Sequence, residues 1–241
     1  MPIRRKHVLP VVPTTLEQRF GLFADSVLFQ TNDQRLMDAA QASFGRFPVP
    51  PLSPEGPVTV RLLLEHEPIS DQPGVVHHAD RDLYVISPPG NVAVTDLPAA
   101  VSTAFIDPAA MTDEATIRRS YIEGPALAMA AVTKGYIVVH ASGIARDGIG
   151  VALHGSEGSG KTTLAVASAR RGIDVFAEDG VFVRAGPDGL EFWGLPWVQR
   201  LVPEAVGHFP ELAGLSPRLQ PNRELKVEVD LDRVYPGRAL P

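Results

Sequence analysis

Apolar and polar positions alternate loosely from Phe20 to Thr31, which predicts a strand, and from Asp33 to about Phe44 the spacing becomes helical. The crowded prolines of Pro48-Val49-Pro50-Pro51-Leu52-Ser53-Pro54 then forbid regular structure. Short β-type runs follow at Val58 to Leu64, Leu83 to Ile86 and Val92 to Val94, separated by turn residues such as Pro88-Pro89-Gly90-Asn91. Thr112-Asp113-Glu114 is a helix-start signal. Ile117, Tyr121 and Ile122 keep helical spacing up to Gly124-Pro125, where a second helix can begin, and Lys134-Gly135 closes the pair. Residues 1–130 therefore predict a small α+β region.

Residues 131–241 have a different rhythm. Tyr136 to His140 is a dense β-branched run, and Asp147-Gly148 separates it from the next run, Ile149 to His154. An Asp-Gly pair between two such runs predicts a hairpin. The glycine-rich segment Gly155-Ser156-Glu157-Gly158-Ser159-Gly160-Lys161-Thr162-Thr163 comes next and opens a helix to about Arg171, with Gly172 placed to cap it. Further strands are predicted at Ile173 to Ala177, Val181 to Val183, Leu190 onward and Leu225 to Asp230. No internal repeat or long low-complexity tract is visible.

Composition narrows the function classes. The chain has 241 residues, a formal charge of -6 and no cysteine. Disulfides, thiolate metal sites and a cysteine nucleophile are thereby excluded, and a reducing cytoplasmic setting is the expectation. Net negative charge argues against a nucleic-acid partner held by phosphate contacts. The basic start, Met1-Pro2-Ile3-Arg4-Arg5-Lys6, is followed by no unbroken apolar stretch of signal or spanning length, so no membrane association is expected.

The glycine-rich segment carries the sharpest chemistry. Gly155, Gly160, Lys161 and Thr162 meet the pattern Gly-x4-Gly-Lys-Thr of a phosphate loop. Phosphate oxygens need several donors converging at short range. Glycines let backbone N–H groups turn inward, and the N-terminus of the following helix adds partial positive charge. Lys161 would reach the β- and γ-phosphates of ATP or GTP, and the Thr162 hydroxyl would sit on Mg²⁺.

The predicted strand after the loop's helix ends in Glu178-Asp179-Gly180. Taken alone, these residues are a turn. In a sheet built this way, however, the strand's carboxyl end lies at the edge carrying the loop, so one acid can hold Mg²⁺ and the other can accept the proton of an attacking hydroxyl. His140 ends its own run and could sit beneath the same site. His77-His78 would face opposite ways in an extended chain and lack spaced companions, which argues against zinc. Core packing is the simplest account of Trp193 and Trp197, with an acceptor-binding lip the sharper one. Arg200, Arg223 and Lys226 are candidates for a further phosphate contact.

The run from His140 through the hairpin to His154-Gly155, the loop ending Lys161-Thr162-Thr163, and Arg171-Gly-Ile-Asp-Val-Phe-Ala-Glu178-Asp179 together resemble the C-terminal domain of bacterial HPr kinase/phosphorylase. That resemblance covers about 45 residues. It implies an α/β P-loop kinase domain of the HPr kinase/phosphoenolpyruvate carboxykinase type over residues 131–241, C-terminally shortened, behind the small N-terminal α+β region. It also implies ATP- or GTP-dependent phosphorylation of a serine hydroxyl with Mg²⁺. Lys161 then contacts phosphate, Thr162 and Asp179 serve the metal, Glu178 takes the base position and His140 lies beside it.

The chain departs from the family in having Glu178-Asp179 for Asp-Asp, Thr162-Thr163 for Ser-Glu, and no familiar N-terminal domain. These departures point towards the divergent HPr-kinase-like proteins, some of which phosphorylate precursor peptides. The expected partner is a hydroxyl acceptor on a peptide, protein or small molecule, and a homo-oligomer stays open. A non-catalytic nucleotide sensor is the alternative.

Overall fold

The computed structural model describes residues 13–64, 75–78, 83–87, 91–220 and 223–240, with the backbone alone for 75–78 and 83–87. The chain is mixed α/β and divides into two units, Met1–Lys134 and Gly135–Pro241. The Pro88-Pro89-Gly90 turn lies outside the described residues, as do the His77 and His78 side chains. No helix among the described residues is long and apolar enough to cross a membrane.

The first unit is built on one seven-stranded sheet. Its strands are β1 (Leu16–Leu22), β2 (Asp25–Thr31), β3 (Val58–Leu64), β4 (Val75–His78), β5 (Leu83–Ser87), β6 (Val92–Asp96) and β7 (Val101–Ile106). They lie in the order β1-β2-β3-β7-β6-β5-β4, with β2-β3-β7 parallel and the remaining pairs antiparallel. The stretch from Phe20 to Thr31 is thus a hairpin and not a single strand. Its turn contains Phe23 at φ 60°. Phe23 stacks edge-on against Phe47 at 5.8 Å and is buried, which offsets a left-handed backbone that a bulky residue rarely adopts.

Helix α1 (Gln34–Phe44) is capped by Asp33, whose carboxylate accepts from the Arg35 N–H at 2.8 Å. It buries Leu36, Met37, Ala40 and Phe44. The expected pair of helices is one continuous helical run: α2 (Glu114–Ile117), a π-helical segment (Arg118–Glu123) and α3 (Gly124–Thr133). Pro125 lacks an N–H and would clash with the carbonyl one turn earlier. The wider π turn absorbs that mismatch, so Gly124-Pro125 does not break the helix.

The second unit has three small sheets. Its strands are β8 (Ile137–Val139), β9 (Ala141–Arg146), β10 (Ile149–His154), β11 (Asp174–Ala177), β12 (Val181–Gly186), β13 (Gly189–Trp193), β14 (Val198–Leu201), β15 (Arg218–Leu219) and β16 (Leu225–Asp230). Its helices are α4 (Lys161–Arg170), α5 (Pro203–Val206) and α6 (Leu231–Val234). The sheets run β10-β9-β11, β13-β12-β8 and β14-β16-β15. The Asp147-Gly148 hairpin forms, with φ of 52° and 78° at the two turn residues, but it joins β9 to β10. The β-branched run of Ile137–Val139 belongs to another sheet, paired with β12.

Two packing details fix the end of β11. A side chain at Gly143 of β9 would run into the Phe176 ring, so this strand must carry small residues. A Cβ at Gly194 would lie 2.6 Å from the Phe176 carbonyl oxygen and 2.8 Å from Ala177 Cα. Helix α4 packs Val166 against Leu201, Ala205, Phe209, Val227 and Val229, and Ala165 and Ala169 against Val175 and Leu231.

Candidate functional site

Register places the expected residues together. Strand β9 runs antiparallel to both its neighbours, with Ala141 opposite His154 and Gly143 opposite Ala177. The start of β9 and the ends of β10 and β11 therefore share one sheet edge. His140 precedes β9 there, the loop from Gly155 leaves β10 there, and Glu178-Asp179 leaves β11 there.

Backbone geometry explains the glycines of the loop. Gly158 and Gly160 have φ of 74° and 89°, the left-handed region where a side chain is strained. Gly155 faces the Ser159 hydroxyl so closely that a Cβ would sit 2.6 Å from its oxygen. Gly160 is the N-cap residue of α4, and its carbonyl accepts the Leu164 N–H at 2.8 Å. Ser156, Glu157 and Ser159 are exposed, and Lys161, Thr162 and Thr163 are half-buried on the first turn of the helix. The Lys161 ammonium donates to the carbonyls of Gly155 at 2.9 Å and Ser156 at 3.1 Å, so it folds back over the loop.

The two acids go to different partners. His140 Nδ1 lies 3.1 Å from Asp179 Oδ1, both side chains being exposed. His154 Nδ1 in turn donates to the His140 carbonyl at 3.0 Å, which ties the end of β10 to the start of β9. Ser142 is fully buried, and its hydroxyl donates to the Glu178 carbonyl at 2.6 Å. The Glu178 carboxylate pairs with Arg200 Nη1 at 3.0 Å. Arg200 also faces Glu228, with its Nε 3.8 Å from Glu228 Oε1. Glu228 additionally accepts from Arg218 and Gln220.

Ser142 and His154 were not predicted as site residues. The pairing of Ala141 with His154 is the signal that could have found them, and it needed β9 to be recognised as the hairpin strand. Arg200, a candidate for a further phosphate contact, pairs with Glu178 at 3.0 Å, and Lys226, another, pairs with Glu224 at 3.0 Å. Arg223 is exposed at φ 66°. Trp197 is buried, and Trp193 is partly covered in β13.

The chain matches no family model, no curated protein and no solved structure.

Chemically, this edge offers the backbone of a glycine-rich loop, the Lys161 ammonium folded over it, the Thr162 and Thr163 hydroxyls and two carboxylates. Among the described residues no group of three or more histidines and acids forms a metal cage. The Thr162 hydroxyl and the Asp179 carboxylate are hard oxygen donors of the kind Mg²⁺ takes, as one or two protein ligands completed by waters and phosphate oxygens.

Proposed function

We propose that the chain is a nucleoside-triphosphate-dependent kinase of the HPr kinase type, acting on a hydroxyl, most simply a serine, of a peptide, protein or small molecule. The observation that carries this reading is the shared sheet edge, where the glycine-rich loop, Glu178-Asp179 and His140 converge from three strands. The loop N–H groups and Lys161 would bind the triphosphate, Lys161 leaving its two loop carbonyls for the β- and γ-phosphate oxygens. Thr162 and Asp179 would hold Mg²⁺, which neutralises charge on the phosphates when bound. His140, at 3.1 Å, orients the Asp179 carboxylate. The acceptor oxygen attacks the γ-phosphorus, the bond to the β-bridging oxygen breaks, the nucleoside diphosphate leaves, and the acceptor's proton passes to Glu178.

One observation favours a second reading. Arg200 occupies the Glu178 carboxylate at 3.0 Å, as in a protein that binds nucleotide without using this acid as a base. A nucleotide sensor would have that arrangement.

The two readings separate in one set of assays. Lys161→Ala should weaken triphosphate binding by about 2–3 kcal/mol, the worth of a charge-assisted contact, with the fold intact. Glu178→Gln should leave nucleotide affinity near wild type while slowing phosphoryl transfer about 10²–10⁴-fold. Equal affinity of Lys161→Ala and wild type by calorimetry removes the nucleotide reading. Binding without a gain of phosphoryl mass on any acceptor selects the sensor.

A further inference from the structure

Strand β10 is the open edge of the sheet β10-β9-β11. The opposite edge is covered by the chain itself: Val175 of β11 donates to the Arg238 carbonyl and accepts from the Leu240 N–H, both at 2.8 Å. The two-residue Asp147-Gly148 turn makes Arg146 and Ile149 the closing pair of the hairpin, so Ile149, Val151 and Leu153 direct their backbone groups at β9. Gly150 and Ala152 therefore point theirs outward, and among the described residues nothing pairs with them. Such edges are ordinarily blunted by shortness, charge, proline or a bulge. In this unit β8 has three residues, β15 two, β13 carries Glu191 and β14 Arg200. Strand β10 has six residues, no Lys, Arg, Asp, Glu or Pro, and an unbroken register. On the reading that the loop after it serves phosphoryl transfer, we infer that β10 is the docking strand for the acceptor, and that the acceptor is a peptide segment in extended conformation that adds a strand here.

Ile149 and Val151 share one face of the strand and are 71% and 47% exposed, so a paired segment gains by placing apolar residues at alternate positions beside them. A second copy of the chain fits this edge less well. Stable interfaces take about 20–30 residues from each side, and the edge offers six. A copy paired antiparallel would also bring its Arg146-Asp147-Gly148 turn to the loop, and that turn has no hydroxyl. Strand spacing then fixes where the acceptor serine lies. An added strand stands three spacings, about 14 Å, from β11, whose end carries Glu178. At roughly 3.4 Å per residue, the serine is about four or more residues beyond the one opposite His154. An unstructured tail spans that separation and a small molecule does not.

The test is phosphoryl transfer by the full chain, with ATP, GTP and Mg²⁺, to a synthetic library of unstructured peptides about twelve residues long, each with a single serine, read as a mass gain. Wild type should favour peptides with apolar residues at alternate positions, about four or more residues from the serine. Ala152→Pro removes an outward N–H and sets a ring over the edge while leaving the β9–β10 hydrogen bonds in place. It should lower kcat/KM on the favoured peptide about tenfold or more, with nucleotide affinity by calorimetry unchanged. Ile149→Lys combined with Val151→Lys, both at exposed positions, is the second variant and should remove the preference for alternating apolar residues. Tryptophan fluorescence checks that each variant remains folded. If both variants phosphorylate the favoured peptide as wild type does, or if the favoured peptides show no apolar alternation, the docking assignment is wrong. Transfer to no peptide by a chain that binds nucleotide also overturns it and leaves the loop assignment standing. If wild type binds neither nucleotide, the loop assignment fails and the docking assignment with it. A wild-type dimer in sedimentation that Ala152→Pro turns into a monomer assigns the edge to a second copy instead.

Discussion

Gly194→Ala should destabilise the second unit by about 3 kcal/mol, the upper end of the usual cost of overpacking. The added Cβ would sit 2.6 Å from the Phe176 carbonyl oxygen, against ordinary contact from 3.4 Å, so about 0.8 Å must be found. Its neighbours there are Ala177, whose side chain has no room to rotate away, and backbone atoms. Phe176 and Ala177 are both buried. Relief must come from displacing the end of β11 or the segment after β13. Gly186→Ala is the control. Its Cβ would also be crowded, at 2.6 Å from Glu191 Cδ, but that atom belongs to a flexible, partly exposed side chain. Swinging it aside costs at most the Arg184–Glu191 ion pair at 3.6 Å, worth under about 1 kcal/mol at such a position. The chain's only two tryptophans, Trp193 and Trp197, lie in this unit, so urea unfolding followed by their fluorescence reads it selectively. If Gly194→Ala unfolds within about 0.5 kcal/mol of wild type, the close approach does not constrain β11 and the argument is refuted.

Thr162→Ala and Asp179→Asn should each raise the Mg²⁺ concentration needed for half-maximal phosphoryl transfer, since each removes a hard oxygen donor; a magnesium titration that overlays wild type for both would exclude these roles. Asp33→Ala should cost about 1 kcal/mol in the first unit through loss of the α1 cap, read by far-UV circular dichroism. The hydrogen bond from the Arg35 side chain, foremost among several causes, holds the Asp33 carboxyl below its ordinary value. A depressed folded-state value stabilises above the unfolded one and is lost as pH falls through the folded one. The stability difference between wild type and Asp33→Asn should therefore be constant at neutral pH and shrink below about pH 4; a difference that persists or grows on acidification contradicts it.

How much of this was legible depended on whether the signal was local. The loop was readable because Gly158 and Gly160 sit where the backbone itself requires glycine, and α1 because its helical spacing from Asp33 to Phe44 is a short-range pattern. The Asp147-Gly148 turn was readable too, but its first strand was misassigned. Ile137–Val139 is richer in β-branched residues than Ala-Ser-Gly-Ile-Ala-Arg, yet the latter takes the central place because the Phe176 ring leaves room only for small residues at Gly143. Strand β7 was missed between β6 and the 3₁₀ turn of Pro108–Thr112. The hairpin inside Phe20–Thr31 was hidden because Phe23 turns the chain without a Gly, Pro or Asn to mark it. The pairing of Glu178 with Arg200 joins residues 22 apart on different sheets, and no spacing rule announces such a contact.

Arg200 sits directly across from Glu228 in the β14–β16 ladder and reaches over to Glu178 at the end of β11. One guanidinium thus spans two sheets that share no strand. A displacement of β16, or of the Arg218 and Gln220 side chains that hold Glu228, would shift the counter-charge available to Glu178 without touching the glycine-rich loop. The acid at the sheet edge and the loop beside it are therefore wired to different parts of the molecule, and the strength of one can be altered while the grip of the other is kept.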